Sequence, residues 1–235
     1  MYKSFKVFNK DIPMFCCDFY LSDYEKNELK KIGVNVIKNN LNYKIKDGRC
    51  YDLVLIDFLK ELNWEKLIWV DADTLFLDSI DEILSLNYDF VGHPGRNKNG
   101  LILTPRQFGY KSNNPDKNYY ATGLWISNKK EILIDFKKEF EKNPNYGFDS
   151  ITVTEIINEK YNSFQIDGNI YNFSRDLVCK AKYKNGKIFY ELNNKIYYPK
   201  TVGFSAMDNG ERGFSKNIDL FYKEVIEKLW KKYQL

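Results

Sequence analysis

The stretch "LIWVDADTLFLDSIDEIL", residues 67–84, constrains this chain more than any other. Four apolar residues, Leu67 to Val70, run straight into Asp71 and Asp73 with one alanine between them. In an extended segment residues i and i+2 project to the same side, so the two carboxylates stand together. Like charges at the end of a buried strand repel, and each is costly to desolvate. A divalent cation resolves both problems. Mg²⁺ and Mn²⁺ favour oxygen ligands and typically take one or two carboxylates together with phosphates and water. Asp71 and Asp73 are therefore candidate metal ligands for a metal-bound diphosphate. The alternative is an Asp-rich surface turn. Against it stand the apolar strand before the pair, the amphipathic helix before that strand, and the apolar run Thr74 to Leu77 after it.

The rest of the chain reads as a frame for such a strand end. Met14 to Cys17 is a short apolar run. Ser22 is an N-cap, and Glu25 completes a capping box. Gly33 ends that helix, and Val34 to Ile37 is the next strand. "CYDLVLIDFLKELNW" carries Leu53, Ile56, Leu59 and Leu62 at helical spacing, ahead of the strand Leu67 to Val70. This alternation predicts an α/β fold with a mainly parallel central sheet flanked by helices.

Further on, Phe90 to Gly92 reads as a short strand, 94–118 as a long loop and "YYATGLWIS" as a strand. Helices are expected over 129–142, from Asp149 to about Lys160, and over 216–232. Asn185-Gly186 and Asn193-Asn194 punctuate "LVCKAKYKNGKIFYELNNKIYYP" as a small β-meander near the C-terminus. No linker or repeat interrupts the chain, so residues 1–235 are expected to form a single domain.

Composition excludes several function classes. A hydrophobic fraction of 43% supplies a sizeable core, but no apolar run reaches the roughly 20 residues that a transmembrane helix needs. "MYKSFKVFNKDIP" is no secretory signal, so a cytoplasmic location is expected. The net charge of +4 comes from lysines spread among acids, which argues against a nucleic-acid partner. Cys16, Cys17, Cys50 and Cys179 form no CxxC pair and read as reduced thiols. His93 is the single histidine, so sites built from several imidazoles are excluded.

These pieces together carry a resemblance. "LIWVDADTLFLDSIDEIL" resembles the DxD segment of glycosyltransferases of the GT-A fold. "IPMFCCDFYLSDYEKNELKKIGVNVI", "YYATGLWISNKKEIL" and "YGFDSITVTEIINEKYNSFQID" are similar to segments of the glycogenin-like branch. "VGHPG", residues 91–95, is similar to the His-Pro-Gly of the ABO blood-group transferase family.

The resemblance spans roughly residues 10–175. It implies a GT-A-like domain that uses Mn²⁺ or Mg²⁺ to move a hexose-type sugar from a nucleotide diphosphate, with UDP preferred, to an acceptor hydroxyl on a glycan, protein or lipid. It places the small-Gly pair Thr122-Gly123 against the donor sugar and His93 at the acceptor. Asp149 becomes the base of an inverting enzyme or the cation-stabilising carboxylate of a retaining one, although an N-cap alone would also account for it. Arg49, Arg212 and Lys216 are candidate phosphate contacts. Relatives complete the metal shell with a histidine near the C-terminus; here Asp208 or water takes that place. They also have a first strand for which this chain offers only Tyr2 to Phe8, as a makeshift strand, unless the element is missing.

Two rivals remain: a degenerate, non-catalytic module of the same fold, and a phosphohydrolase of the haloacid-dehalogenase type. The second wants one residue between the second Asp and a Thr, whereas Thr74 follows Asp73 directly.

Overall fold

The computed structural model describes residues 1–18, 21–38, 51–72, 74–95, 101–142, 150–171, 173–174, 181–185, 187–203, 227–228 and 231. Its centre is a four-stranded sheet of β3 (Leu67–Val70), β6 (Tyr120–Ser127), β5 (Phe90–Pro94) and β7 (Ser163–Gln165), in that order. β3, β5 and β7 run in one direction and β6 runs against them. The expected α/β sheet is therefore present, with one strand reversed in its middle. The reason lies in the connection. Among the described residues no helix lies between β5 and β6, whereas a parallel return is usually made through one.

β6 is buried on both faces and sorts its side chains accordingly. Trp125 points into a cluster with Ile56 and Leu59 of α3 (Tyr51–Leu59), Ile132, Leu133 and Phe136 of α5 (Glu131–Lys142), and Val153 and Ile157 of α6 (Ser150–Lys160). Trp69 of β3 stacks on Trp125 with centroids 5.4 Å apart and 8° between planes. Leu124 and Ile126 point the other way. There they meet Met14 of β1 (Met14–Asp18), Val34 of β2 (Val34–Lys38), Phe76 of β4 (Thr74–Phe76) and Ile83 of α4 (Asp81–Leu84).

β1 and β2 form a parallel pair joined by α2 (Asp23–Lys31). The capping box is complete: Ser22 Oγ accepts the Glu25 N–H, and the Glu25 carboxylate accepts the Ser22 N–H. Gly33 follows at φ +77°, the left-handed conformation that stops a helix.

Tyr2–Phe8 is a helix, α1, and not a makeshift strand. Tyr2, Phe5 and Phe8 recur every third residue, which puts them on one helical face. Phe5 is buried edge-on against Phe76, with centroids 4.9 Å apart. Ser4 Oγ accepts the Phe76 N–H at 3.1 Å. β4 itself lies in a small sheet, antiparallel to β12 (Thr201–Gly203), which runs parallel to β8 (Phe173–Ser174).

The meander forms as expected from β9 (Lys182–Lys184), β10 (Lys187–Leu192) and β11 (Lys195–Tyr197). Asn185, Asn193 and Asn194 all have positive φ, as tight hairpin turns require. Of the helix expected over 216–232, only Glu227, Lys228 and Lys231 fall among the described residues, and they are helical. No helix among the described residues is long and apolar enough to cross a membrane. Cys17 is buried and Cys16 half-buried, and neither is in a disulfide among the described residues; Cys50 and Cys179 lie outside the described residues.

Candidate active site

The candidate site is organised by β6. Along its C-terminal half the ladders on both sides are regular: Trp125 pairs with Trp69 of β3 on one side and with Gly92 of β5 on the other. Towards its start the register breaks. On β5 the pairing passes from Gly92–Trp125 to Pro94–Tyr120, so Ala121 to Leu124 lie opposite His93 alone. Such a bulge bends a strand and re-aims its side chains.

The other edge of the same segment holds Asp71. Its N–H donates to the Gly123 carbonyl at 2.9 Å, one step beyond the last β3–β6 pair, Val70–Leu124. The Asp71 carbonyl then accepts the Thr74 N–H at 3.1 Å, which closes the turn into β4. Thr122 and Gly123 thus sit between Asp71 and His93, with Thr122 half-buried and Gly123 buried. Residues singled out from three separate parts of the sequence, Asp71, His93 and the Thr122-Gly123 pair, meet here along one kinked strand. Asp73, Asp149, Arg49, Arg212, Lys216 and Asp208 lie outside the described residues.

His93 is only 5% exposed, and its Nδ1 lies 3.1 Å from the Pro94 carbonyl. Pro94 and Gly95 do not yet open the long loop expected over 94–118. Pro94 ends β5, and the Gly95 N–H donates to the Tyr119 carbonyl at 2.8 Å, so the backbone stays alongside β6. Tyr119, Tyr120 and Trp125 nearby are all buried in the core.

Two residues unremarked in the sequence hold this region together. Thr154, one turn into α6, accepts the Tyr120 N–H at 2.9 Å and is fully buried. It ties the start of α6, and hence the position after Asp149, to the start of β6. Glu155 accepts from Ser112 Oγ and from the Asn113 N–H, at 3.1 Å for the latter, and so fastens the long loop to the same helix. Lys117 and Asn158 add a second fastening, each bonded across to the other segment. A threonine and a glutamate on a helix name no partner, so nothing in the local sequence marked them.

The donors at the Asp71 corner are oxygens. Beside Asp71, the buried Thr74 offers a hydroxyl that has no hydrogen-bond partner among the described residues. Oxygen is the ligand type that Mg²⁺ and Mn²⁺ take, so what is described here fits such an ion. Among the described residues no three His, Cys, Asp or Glu side chains gather into a metal cluster. A cavity of about 280 Å³ lies elsewhere, between α1 and α2, lined by Tyr2, Ser4, Glu28, Leu29, Ile32 and Leu75. It contains none of the candidate residues.

No protein-family model and no curated protein sequence matches the chain. Solved structures do. A galactosyltransferase, LgtC, in complex with donor and acceptor sugar analogs superimposes with a TM-score of 0.57 at 11% identity, over 98% of this chain and 93% of that one. An active-site variant of LgtC matches equally, with a TM-score of 0.57. The bifunctional glycosyltransferase WbbM, in its apo form, matches with a TM-score of 0.54 at 12% identity, over 99% of this chain and 48% of that one. At such identities the likeness speaks for the fold: this chain has the GT-A-like fold of these glycosyltransferases.

Proposed function

We propose that the protein is a metal-dependent glycosyltransferase, moving a hexose-type sugar from a nucleotide diphosphate, with UDP preferred, to an acceptor hydroxyl on a glycan, protein or lipid. The observation that carries this reading is the bulge of β6. It sets the backbone of Thr122 and Gly123 between a strand-end carboxylate, Asp71, and a histidine, His93, in a fold shared with glycosyltransferases. LgtC binds donor and acceptor sugar analogs, which supports two sugar sites here as well.

In this reading Asp71 and Asp73 hold Mn²⁺ or Mg²⁺, with Asp208 or water as a further ligand. Such an ion, when bound, neutralises charge that develops on a diphosphate leaving group. Thr122 and Gly123 admit the donor sugar close to the backbone. His93 offers a hydrogen bond to an acceptor hydroxyl, and Asp149 acts as base or as a cation-stabilising carboxylate. Arg49, Arg212 and Lys216 contact the phosphates.

Asp71→Asn is the test. A ligand that binds only the native state stabilises it by RT ln(1+[L]/Kd), or about 2.7 kcal/mol at 100 Kd. For a chain of this size that is a rise of roughly 5–10 °C in melting temperature. With Mn²⁺ and a panel of nucleotide sugars, the native protein is expected to show this rise for its donor. The Asp71→Asn variant is expected to lose it while melting normally without ligand. Equal shifts for both proteins would remove Asp71 from the metal site.

A further inference from the structure

The meander holds none of the candidate site residues. We infer that the outer face of β9–β10–β11 is a docking site for an anionic lipid surface. The pairing register sorts its side chains into two faces. Ile188 and Tyr190 point inward and are buried with Leu77 and Val202. Lys187, Phe189 and Glu191 point outward, directly opposite Lys184, Lys182 and Ile196 respectively. Ile196 and Tyr198 are 53% and 54% exposed.

Charge is the first argument for an anionic occupant. Residues 181–203 hold five lysines against the single acid Glu191, so their net charge equals the +4 of the whole chain. Lys200 is paired with Glu82. Among the described residues the outward Lys182, Lys184 and Lys187 make no ion pair, and Lys195, opposite Leu192, lies on the other face. Lys184 and Lys187 even stand directly opposite each other across the hairpin, and like charges so placed destabilise a sheet. An anion on this face would relieve that repulsion.

The apolar residues on the same face select the kind of anion. An exposed isoleucine and tyrosine beside lysines suit the boundary between phosphate headgroups and acyl chains. A nucleic acid needs open ring faces for its bases. Here the Lys187 ammonium lies over the Tyr198 ring, 5.8 Å from its centroid, and Phe189 is tilted 46° to that ring. A second copy of the chain would set lysines against lysines.

The test is co-sedimentation of the full chain with vesicles at low ionic strength. Binding is expected to vesicles of phosphatidylcholine with phosphatidylglycerol, and not to phosphatidylcholine alone. Lys184→Glu separates a binding role from a structural one. It turns the repulsive pair with Lys187 into an attractive one, so the melting temperature is expected to hold or rise. Binding to anionic vesicles is expected to fall about 25-fold, at about fivefold per unit of charge removed. Ile196→Ser is expected to weaken binding that persists at high salt. Absence of binding to anionic vesicles, or binding that Lys184→Glu leaves unchanged, overturns the inference. Capture of a single-stranded oligonucleotide without vesicle binding overturns it in favour of nucleic acid.

Discussion

Gly95 has no room for a side chain. A Cβ there would lie 1.9 Å from Cδ1 of Tyr119, a buried ring that Phe108 also contacts at a centroid distance of 4.6 Å. Its backbone is fixed as well, since its N–H is held by Tyr119 and its carbonyl accepts the Leu103 N–H at 3.3 Å. Gly95→Ala is therefore an overpacking change, expected to destabilise the protein by about 1–3 kcal/mol in urea unfolding. In the sequence Pro94-Gly95 stood out within the motif "VGHPG" and at the start of a loop, whereas the glycine is needed for close approach of a ring. Sequence shows which residue is small and not what lies against it. The same limit applies to Thr154, whose partner Tyr120 is remote in the chain. Asp71, Thr122, Gly123 and His93 were readable because each sits in a short pattern of its own; their convergence on the β6 bulge was not, since register is a property of paired strands.

Elements with local signals were legible, and elements without them were not. α2 carries its start in Ser22 and Glu25 and its stop in Gly33. The meander carries its turns in Asn185 and Asn193-Asn194. By contrast β4, β7, β8 and β12 have three residues or fewer, too few to show a period. They are strands because partners from elsewhere in the chain pair with them. The turn between β10 and β11 offers a direct check. Asn194 has φ +61°, which asparagine tolerates and a β-branched residue does not. Asn194→Val is expected to lower stability by about 1–2 kcal/mol, and Asn194→Gly to leave it unchanged or raise it. Chemical denaturation of the two variants beside the parent measures both effects.

Three carboxylates tie separate elements of the fold together. Asp57 of α3 takes Lys137 of α5 at 2.6 Å as well as Lys60 at 2.9 Å. Asp135 of α5 takes Lys160 at 3.0 Å and the Tyr161 hydroxyl at 2.9 Å. Glu82 of α4 takes Lys200 at 2.6 Å and the Tyr171 hydroxyl. Burial pushes each carboxyl upward, but these partners outweigh it and hold all three below the ordinary carboxylate range. A carboxylate depressed in the folded state contributes stability above its unfolded pKa and loses it as pH falls through the folded value. The melting temperature is thus expected to be level above about pH 5 and to drop below about pH 4. Asp57→Asn is expected to melt lower at pH 7 and to show a shallower acid decline.

The short strand β4 carries a consequence for timing. Its Phe76 seats α1 through Ser4 and Phe5, and its whole length pairs with Thr201–Gly203. During synthesis the first helix leaves the ribosome long before its seat exists, and the far side of that seat stays open until Gly203 has been made. Until then β4 presents an unpaired edge, the kind of surface that invites misassembly and chaperone capture. Thr74, where β4 begins, also closes the corner that carries Asp71. The Asp71 corner is accordingly among the last parts of the molecule to be locked in place.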